Sequence, residues 1–417
     1  MILFLFDGTK LRLFLFPDFQ FCNISFSLPH FLSCKETFSL EKGTSKGKKS
    51  YLRSRNRKNM TKEETQQLKG IAILMMVWLH LFGTNQEILD GCEKYIYLWN
   101  GDPLIYAMRK FVRMCVVFYT FLGGYGLCKV WLRDNGNLKS QPSARRSQTS
   151  TNLRRVWRLM VNYWLVLLLF VGVAWWLHPE TYPGGWNELL KNVTALDCSY
   201  NDTLWFLLPY ALLTLLAAPI MRLIMWLRGK WLWIFLIVSF AVKAVIYVNE
   251  TTYTSWLGLI GQNLLAAMGL FFMFAVGALF AKNELMERVV AIIRGWVERS
   301  FVVRRMKVSP SVVCLVLLLL LFFGRICVGA STLIDPPFLL LMIPVYLCIH
   351  RPQWLSGTLA FVGKHSTNIW FTHRYILVLT GTLITALHYP IVMLMVLVGV
   401  CIVCSYVMKG LMKLLRL

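Results

Sequence analysis

From about residue 68 to its end, the chain alternates long apolar runs with short polar breaks. The runs are continuous rather than apolar at every second residue. They therefore read as helices that cross a bilayer, not as barrel strands. Ten spans are expected, at 68–84, 112–131, 156–177, 204–225, 231–248, 258–280, 311–328, 335–349, 366–386 and 390–408. Pro336 and Pro337 make the start of the eighth irregular. The expected fold class is all-α, a polytopic transmembrane helix bundle.

Residues 1–59 break the pattern. MILFLFDGTKLRLFLFPDF is apolar but interrupted by Asp7, Lys10, Arg12 and Pro17, and it lacks the small-residue cleavage site of a signal peptide. GTSKGKKSYLRSRNRKN reads as a basic, disordered tract. MTKEETQQLKGIAIL, from Met60, reads as an ordinary protein start. Two parts are expected: 1–59, a disordered or spurious extension, and 60–417, the transmembrane domain.

Composition agrees. The chain is 57% hydrophobic and 15% charged, too apolar for a soluble protein of 417 residues. The net charge of +24 raises nucleic acid as a partner. The basic residues instead gather between apolar runs, as the positive-inside rule requires, so no nucleic-acid partner is expected. Lys129, Arg133, Lys139, Arg145, Arg146, Arg154 and Arg155 follow the second span. Lys282, Arg288, Arg294, Arg299, Arg304, Arg305 and Lys307 follow the sixth. The intervening loops are acidic, with Glu87, Asp90, Glu93 and Asp102, then Glu180, Glu188, Asp197 and Asp202. Both termini are thus expected in the cytoplasm, with lipid as an obligate partner. Arg109, Lys110 and Arg113 run against the pattern and mark an interfacial helix or a functional patch.

Most of the eleven cysteines lie inside apolar runs, and none has zinc spacing, so no metal is expected. Cys92 and Cys198 fall in outer loops, where spacing leaves a disulfide between them open. Asn192, Asn201 and Asn249 head Asn-x-Ser/Thr sequons, which matter only in a secretory pathway.

The candidate chemistry begins at LKGIAILMMVWLHLFG, residues 68–83. Lys69 and His80 stand eleven residues apart. Eleven steps of 100° come to about 20° past three full turns, so both lie on one face, about 16 Å apart along the axis. A lysine at a helix end commonly snorkels, and a lone buried histidine is commonly packing. Ionisable groups inside a membrane nonetheless favour function, and neutral imidazole is the usual general base near pH 7.

This stretch resembles the first-helix signature of the acyltransferase-3 family, membrane-embedded O-acyltransferases of glycans: Arg or Lys, ten residues, then His. RMCVVFYTFLGGYGL (113–127) resembles the family's second-helix stretch ending Phe-Leu-Ser-Gly-Tyr, with Gly123 in place of the serine. RRVWRL (154–159) holds an Arg-x-x-Arg pattern as Arg155 and Arg158. LWFLLPYALL (204–213) resembles the Leu-Trp-Phe-Leu segment, and VGKHSTNIWFTH (362–373) the Gly-Lys-x-Ser…His segment. The resemblance covers about residues 65–410.

It implies transfer of an acyl group from cytoplasmic acyl-coenzyme A, acetyl-coenzyme A by default, to a hydroxyl of a surface polysaccharide or lipid-linked glycan. Acyl-coenzyme A is then a co-substrate, with no bound cofactor. Lys69, Arg155 and Arg158 would hold the phosphates of the donor, and guanidinium suits phosphate by bidentate hydrogen bonding. His80 would be the general base. His373, one helical face with Ser366, would bind the acceptor or support the site. Arg325 would bind an anionic acceptor or steady the thioester oxygen, and Arg113 is similar. Trp205 and Tyr125 would line the site. The alternative reading is a transporter or flippase of a glycan or small anion, although the chain shows no repeat of the kind transporters often carry. The compact layout suggests a bacterial inner membrane.

Overall fold

The computed structural model describes residues 2–7, 10–15, 60–98, 101–138, 148–177, 179–180, 182–329 and 331–416. The chain divides into two units, Met1–Asn56 and Arg57–Leu417. In the first, β1 (Ile2–Asp7) pairs antiparallel with β2 (Lys10–Leu15), with Asp7 opposite Lys10. The basic tract expected to be disordered lies outside the described residues.

The second unit is a helix bundle. Its principal helices are α1 (Lys62–Trp78), α2 (Cys115–Leu138), α3 (Gln148–Leu177), α4 (Leu207–Leu215), α5 (Ala217–Trp226), α6 (Gly229–Val248) and α7 (Leu259–Lys282). They continue with α8 (Leu285–Arg299), α9 (Pro310–Cys327), α10 (Asp335–Cys348), α11 (Gln353–Thr385) and α12 (Pro390–Leu414). Among the described residues, six helical stretches are long and apolar enough to cross a membrane, and a seventh is reached if the bent pair that includes α4 and α5, at 58°, is counted as one span. This is an integral membrane protein. Each of the ten expected spans falls on helix, but three fall short of spanning on length and apolarity alone. α1 ends as α-helix after 17 residues, α10 has 14, and α11 is diluted by Lys364, His365, Asn368, His373 and Arg374.

The bend between α4 and α5 has a local cause. Pro219 has no N–H for the carbonyl of Leu215, and its ring crowds that carbonyl. The loop expected at 282–307 contains the amphipathic helix α8, which buries Met286 and Val297.

α1 begins with a capping box. Thr61 Oγ1 accepts from the Glu64 amide, and the Thr61 amide donates to the Glu64 carboxylate. The Met60 amide donates to Glu287 Oε1 of α8 at 3.1 Å. α1 then crosses α11 at backbone contact. A Cβ on Gly70 would stand 2.1 Å from the Leu359 carbonyl oxygen, and one on Gly363 would stand 1.9 Å from that of Gln66. Only glycine allows this approach, the small-residue packing that membrane helices use in place of a hydrophobic drive. α2 and α7 meet in the same way at Gly124 and Gly277. The α1–α11 crossing matters most, because α1 leads to His80 and α11 carries Ser366 and His373. Gly363→Ala is expected to force the two helices apart at a cost of about 1–3 kcal/mol. A lowered thermal midpoint of the detergent-purified chain would register it; an unchanged midpoint would mean that the crossing is loose.

Gly123 faces the Tyr210 ring, whose Cε2 would lie 2.9 Å from an added Cβ. The space that a serine would take at this position is therefore filled from α4. Cys92 and Cys198 do not pair: both are buried free thiols, and Cys92 Sγ donates to the Leu89 carbonyl. Burial, reinforced by Asp197, pushes the Cys198 thiol up to about 12. Two of the three sequon asparagines are also buried. Asn192 donates to Ser199 Oγ and accepts from the Tyr200 amide, and Asn201 donates to the Phe371 carbonyl. These side chains brace the loop 182–206 and leave no free amide for a sugar.

Candidate functional site

The last turn of the first helix is not α-helical. Leu79–Gly83 forms a π turn, and His80 lies within it. π turns are frequent at functional sites because they displace one residue from the regular helical face. The one-face relation of Lys69 and His80 therefore holds along α1 and is altered in its final step. His80 is half-buried. Its ring centroid lies 5.2 Å from that of His373, with the planes tilted by 42°.

His373 is fully buried on α11. Its Nδ1 stands 3.0 Å from the Ile369 carbonyl oxygen and 2.9 Å from that of Trp370. A carbonyl accepts but cannot donate, so in the neutral ring Nδ1 carries the hydrogen and Nε2 presents a lone pair. Nε2 is buried and has no hydrogen-bond partner among the described residues. Backbone carbonyls thus set the tautomer and leave one basic nitrogen beside His80.

The surrounding wall is built from the 3-10 turn Asp202–Phe206. Asn201 Oδ1 accepts from the Thr203 amide and caps this turn, and Trp370 Nε1 donates to the Thr203 carbonyl at 3.0 Å. Asp202 and Arg374 form an ion pair at 3.2 Å at the rim. Asn201 and Trp370 are thereby site-shaping residues that sequence reasoning missed. Asn201 was read there only as a sequon, and nothing local signals its pairing with α11.

Lys69 is half-buried, and its carbonyl accepts from the Tyr119 hydroxyl at 3.2 Å. Tyr119 also lies beside buried Ser366, so Lys69, α2 and α11 meet here. The Lys69 ammonium has no hydrogen bond or ion pair to the described residues. Arg155 lines a cleft between α2, α3 and α5 with Trp131, Asp134, Thr151 and Met221, and donates to Asn152 Oδ1 at 2.7 Å. Arg158, nearly one turn on, is exposed. The Arg155 cleft lies toward the C-terminal end of α2, whereas Lys69 meets α2 at Tyr119, near its N-terminal end, which Arg113 precedes.

Tyr125 is buried and donates to Glu287 Oε1 at 3.1 Å, which ties α2 to α8. Trp205, in the turn Asp202–Phe206, is 48% exposed and meets Phe206 edge-on. Arg325 is wholly buried, and its five N–H groups are all engaged. Nε and Nη2 donate to Asp335 Oδ1 at 2.9 and 2.6 Å. The rest go to the carbonyls of Val328, Gly329 and Ser331. Arg325 clamps the loop between α9 and α10.

A membrane helix bundle that holds two facing imidazoles, and an arginine-lined cleft toward the C-terminal end of α2, is suited to proton transfer and to holding an anion. Residues 65–409 match the family model described as an acyltransferase domain. The chain belongs to the acyltransferase-3 family and is an acyltransferase. No curated protein and no solved structure matches it.

Proposed function

We propose that this protein moves an acyl group, acetyl by default, from cytoplasmic acyl-coenzyme A to a hydroxyl of a surface polysaccharide or lipid-linked glycan. It would do so in a bacterial inner membrane with both termini in the cytoplasm. The observation that carries this reading is the His80–His373 pair, held at 5.2 Å by the α1–α11 crossing. A hydroxyl is a weak nucleophile and needs a base as it attacks. His80 takes the hydroxyl proton while the oxygen bonds to the thioester carbonyl carbon. The C–S bond then breaks, and the proton passes to the departing thiolate. His373, its tautomer held by Ile369 and Trp370, supports the pair or receives the acceptor through Nε2.

Lys69, Arg155 and Arg158 hold the phosphates of the donor. The eleven residues from Lys69 to His80 span about 16 Å, a length the extended pantetheine arm covers. A carrier that is not proton-coupled would need no such base.

The test is transfer of label from radiolabelled acetyl-coenzyme A to cell-surface polysaccharide by membranes with and without the protein. Alkali-labile label that depends on the protein is expected. Its absence over a range of acyl donors would favour the transporter reading. In the same assay, Arg155→Ala is expected to raise the KM for the donor about tenfold with little change in kcat, because a charge-assisted phosphate contact is worth about 1.5–3 kcal/mol and serves ground and transition states alike. A fall in kcat alone would remove Arg155 from the donor site.

A further inference from the structure

α6 turns an unusual face inward. Most of its surface is exposed, and the two residues it buries are Ser239 and Lys243, four apart on one stripe. Ser239 is satisfied locally through the Leu236 carbonyl. Lys243 is 9% exposed, and its ammonium has no hydrogen bond or ion pair to the described residues. Its counter-charge is the Asp335 carboxylate, which Arg325 already holds, and a buried ammonium that shares a single carboxylate in this way is costly, the more so within a membrane.

What it faces is the Arg325–Asp335 clamp. α6 packs on the turn Thr332–Ile334 that leads into Asp335. Lys243 and Arg113 both lie close enough to act on the Asp335 carboxylate. Oδ1 is taken by Arg325, and Oδ2 is buried with no partner among the described residues. Three cations therefore gather around one carboxylate, at the end of the bundle opposite the Arg155 cleft. The place adjoins the histidines. The short helix Arg109–Val112 packs on both the π turn and α9, and Phe111 meets the Phe322 ring at 4.7 Å.

We propose that Lys243, with Arg113 beside it, forms an anion subsite that takes a carboxylate or phosphate group carried by the acceptor. Arg325 and Asp335 hold its floor and do not touch the ligand. The word acceptor rests on the acyl-transfer reading; the anion site does not.

The experiment uses the full chain, purified in a neutral detergent. Its thermal midpoint is followed against D-glucuronate, inorganic phosphate, glucose, and chloride at matched ionic strength. A ligand that binds only the folded state raises the midpoint saturably. Saturable stabilisation by glucuronate or phosphate is expected, with none from glucose or chloride. Preference for glucuronate points to an acidic sugar, and preference for phosphate to a phosphorylated or lipid-phosphate acceptor. Lys243→Met is expected to weaken the apparent affinity at least tenfold, and Lys243→Arg to retain it. Equal stabilisation of Lys243→Met and wild type, or no saturable response to either anion, would overturn the proposal. If Lys243→Met fails to fold, amine-reactive labelling of wild-type Lys243 read by mass spectrometry serves instead. Protection by the anion supports the subsite, and unchanged labelling opposes it. Neither readout involves acyl transfer, so an inactive transferase that still binds anions would sink the enzymatic reading alone.

Discussion

His80→Ala is expected to lower acyl transfer by about 100- to 10,000-fold, the usual loss when a general base is removed. The fall should appear in kcat, with the KM for acyl-coenzyme A nearly unchanged, because the proton moves only in the transition state. The measurement is label transfer from acetyl-coenzyme A at matched expression, with the purified variant eluting as a single species. His80 is half-buried and has no hydrogen bond to the described residues, so its truncation breaks no network. His373 differs, since its Nδ1 braces α11 through two carbonyls. Wild-type transfer by His80→Ala would make His80 a packing residue and move the base to His373 Nε2.

Asp335→Ala is expected to produce the largest loss of stability. The change leaves Arg325, wholly buried, without its only carboxylate. Breaking one partner of such a pair costs about 3–5 kcal/mol, because the remaining charge stays desolvated. Joint replacement by Arg325→Met and Asp335→Leu should cost clearly less than Asp335→Ala alone, since it leaves no orphaned guanidinium, while the loss of Asp335 beside Lys243 is common to both. Denaturation midpoints of the three proteins in mixed micelles would decide. A single variant no less stable than the double would mean that water already compensates Arg325.

The loop that Arg325 holds shows how far sequence reading reaches. Arg325 and Asp335 were both visible as charged residues near apolar runs. Arg325 stands near the outer end of the seventh span, which suits an anionic acceptor or the thioester oxygen. Whether its donors are free depends on where the carbonyls of Val328, Gly329 and Ser331 come to rest, and that is a property of the folded loop. Lys243 shows the converse. In the sequence it is one lysine in an apolar run, where snorkelling is the ordinary reading. Only the packing of α6 reveals that it points inward.

What the sequence determined by itself was the bilayer as solvent, the helical class, the family and the residues of the first helix. Each follows from information close along the chain. An apolar run must satisfy its own backbone, so it is helical wherever it lies in lipid. Lys69 and His80 share a helix because eleven residues separate them, and the capping box at Thr61 is written in four. The tertiary structure alone decided that His373 meets His80, that Asn201 and Trp370 join in the wall beside them, and that Cys92 and Cys198 stay apart. These pairings join residues distant in the chain. They depend on how closely α1 and α11 approach at Gly70 and Gly363, and two backbones in contact leave no periodic trace in the sequence of either helix.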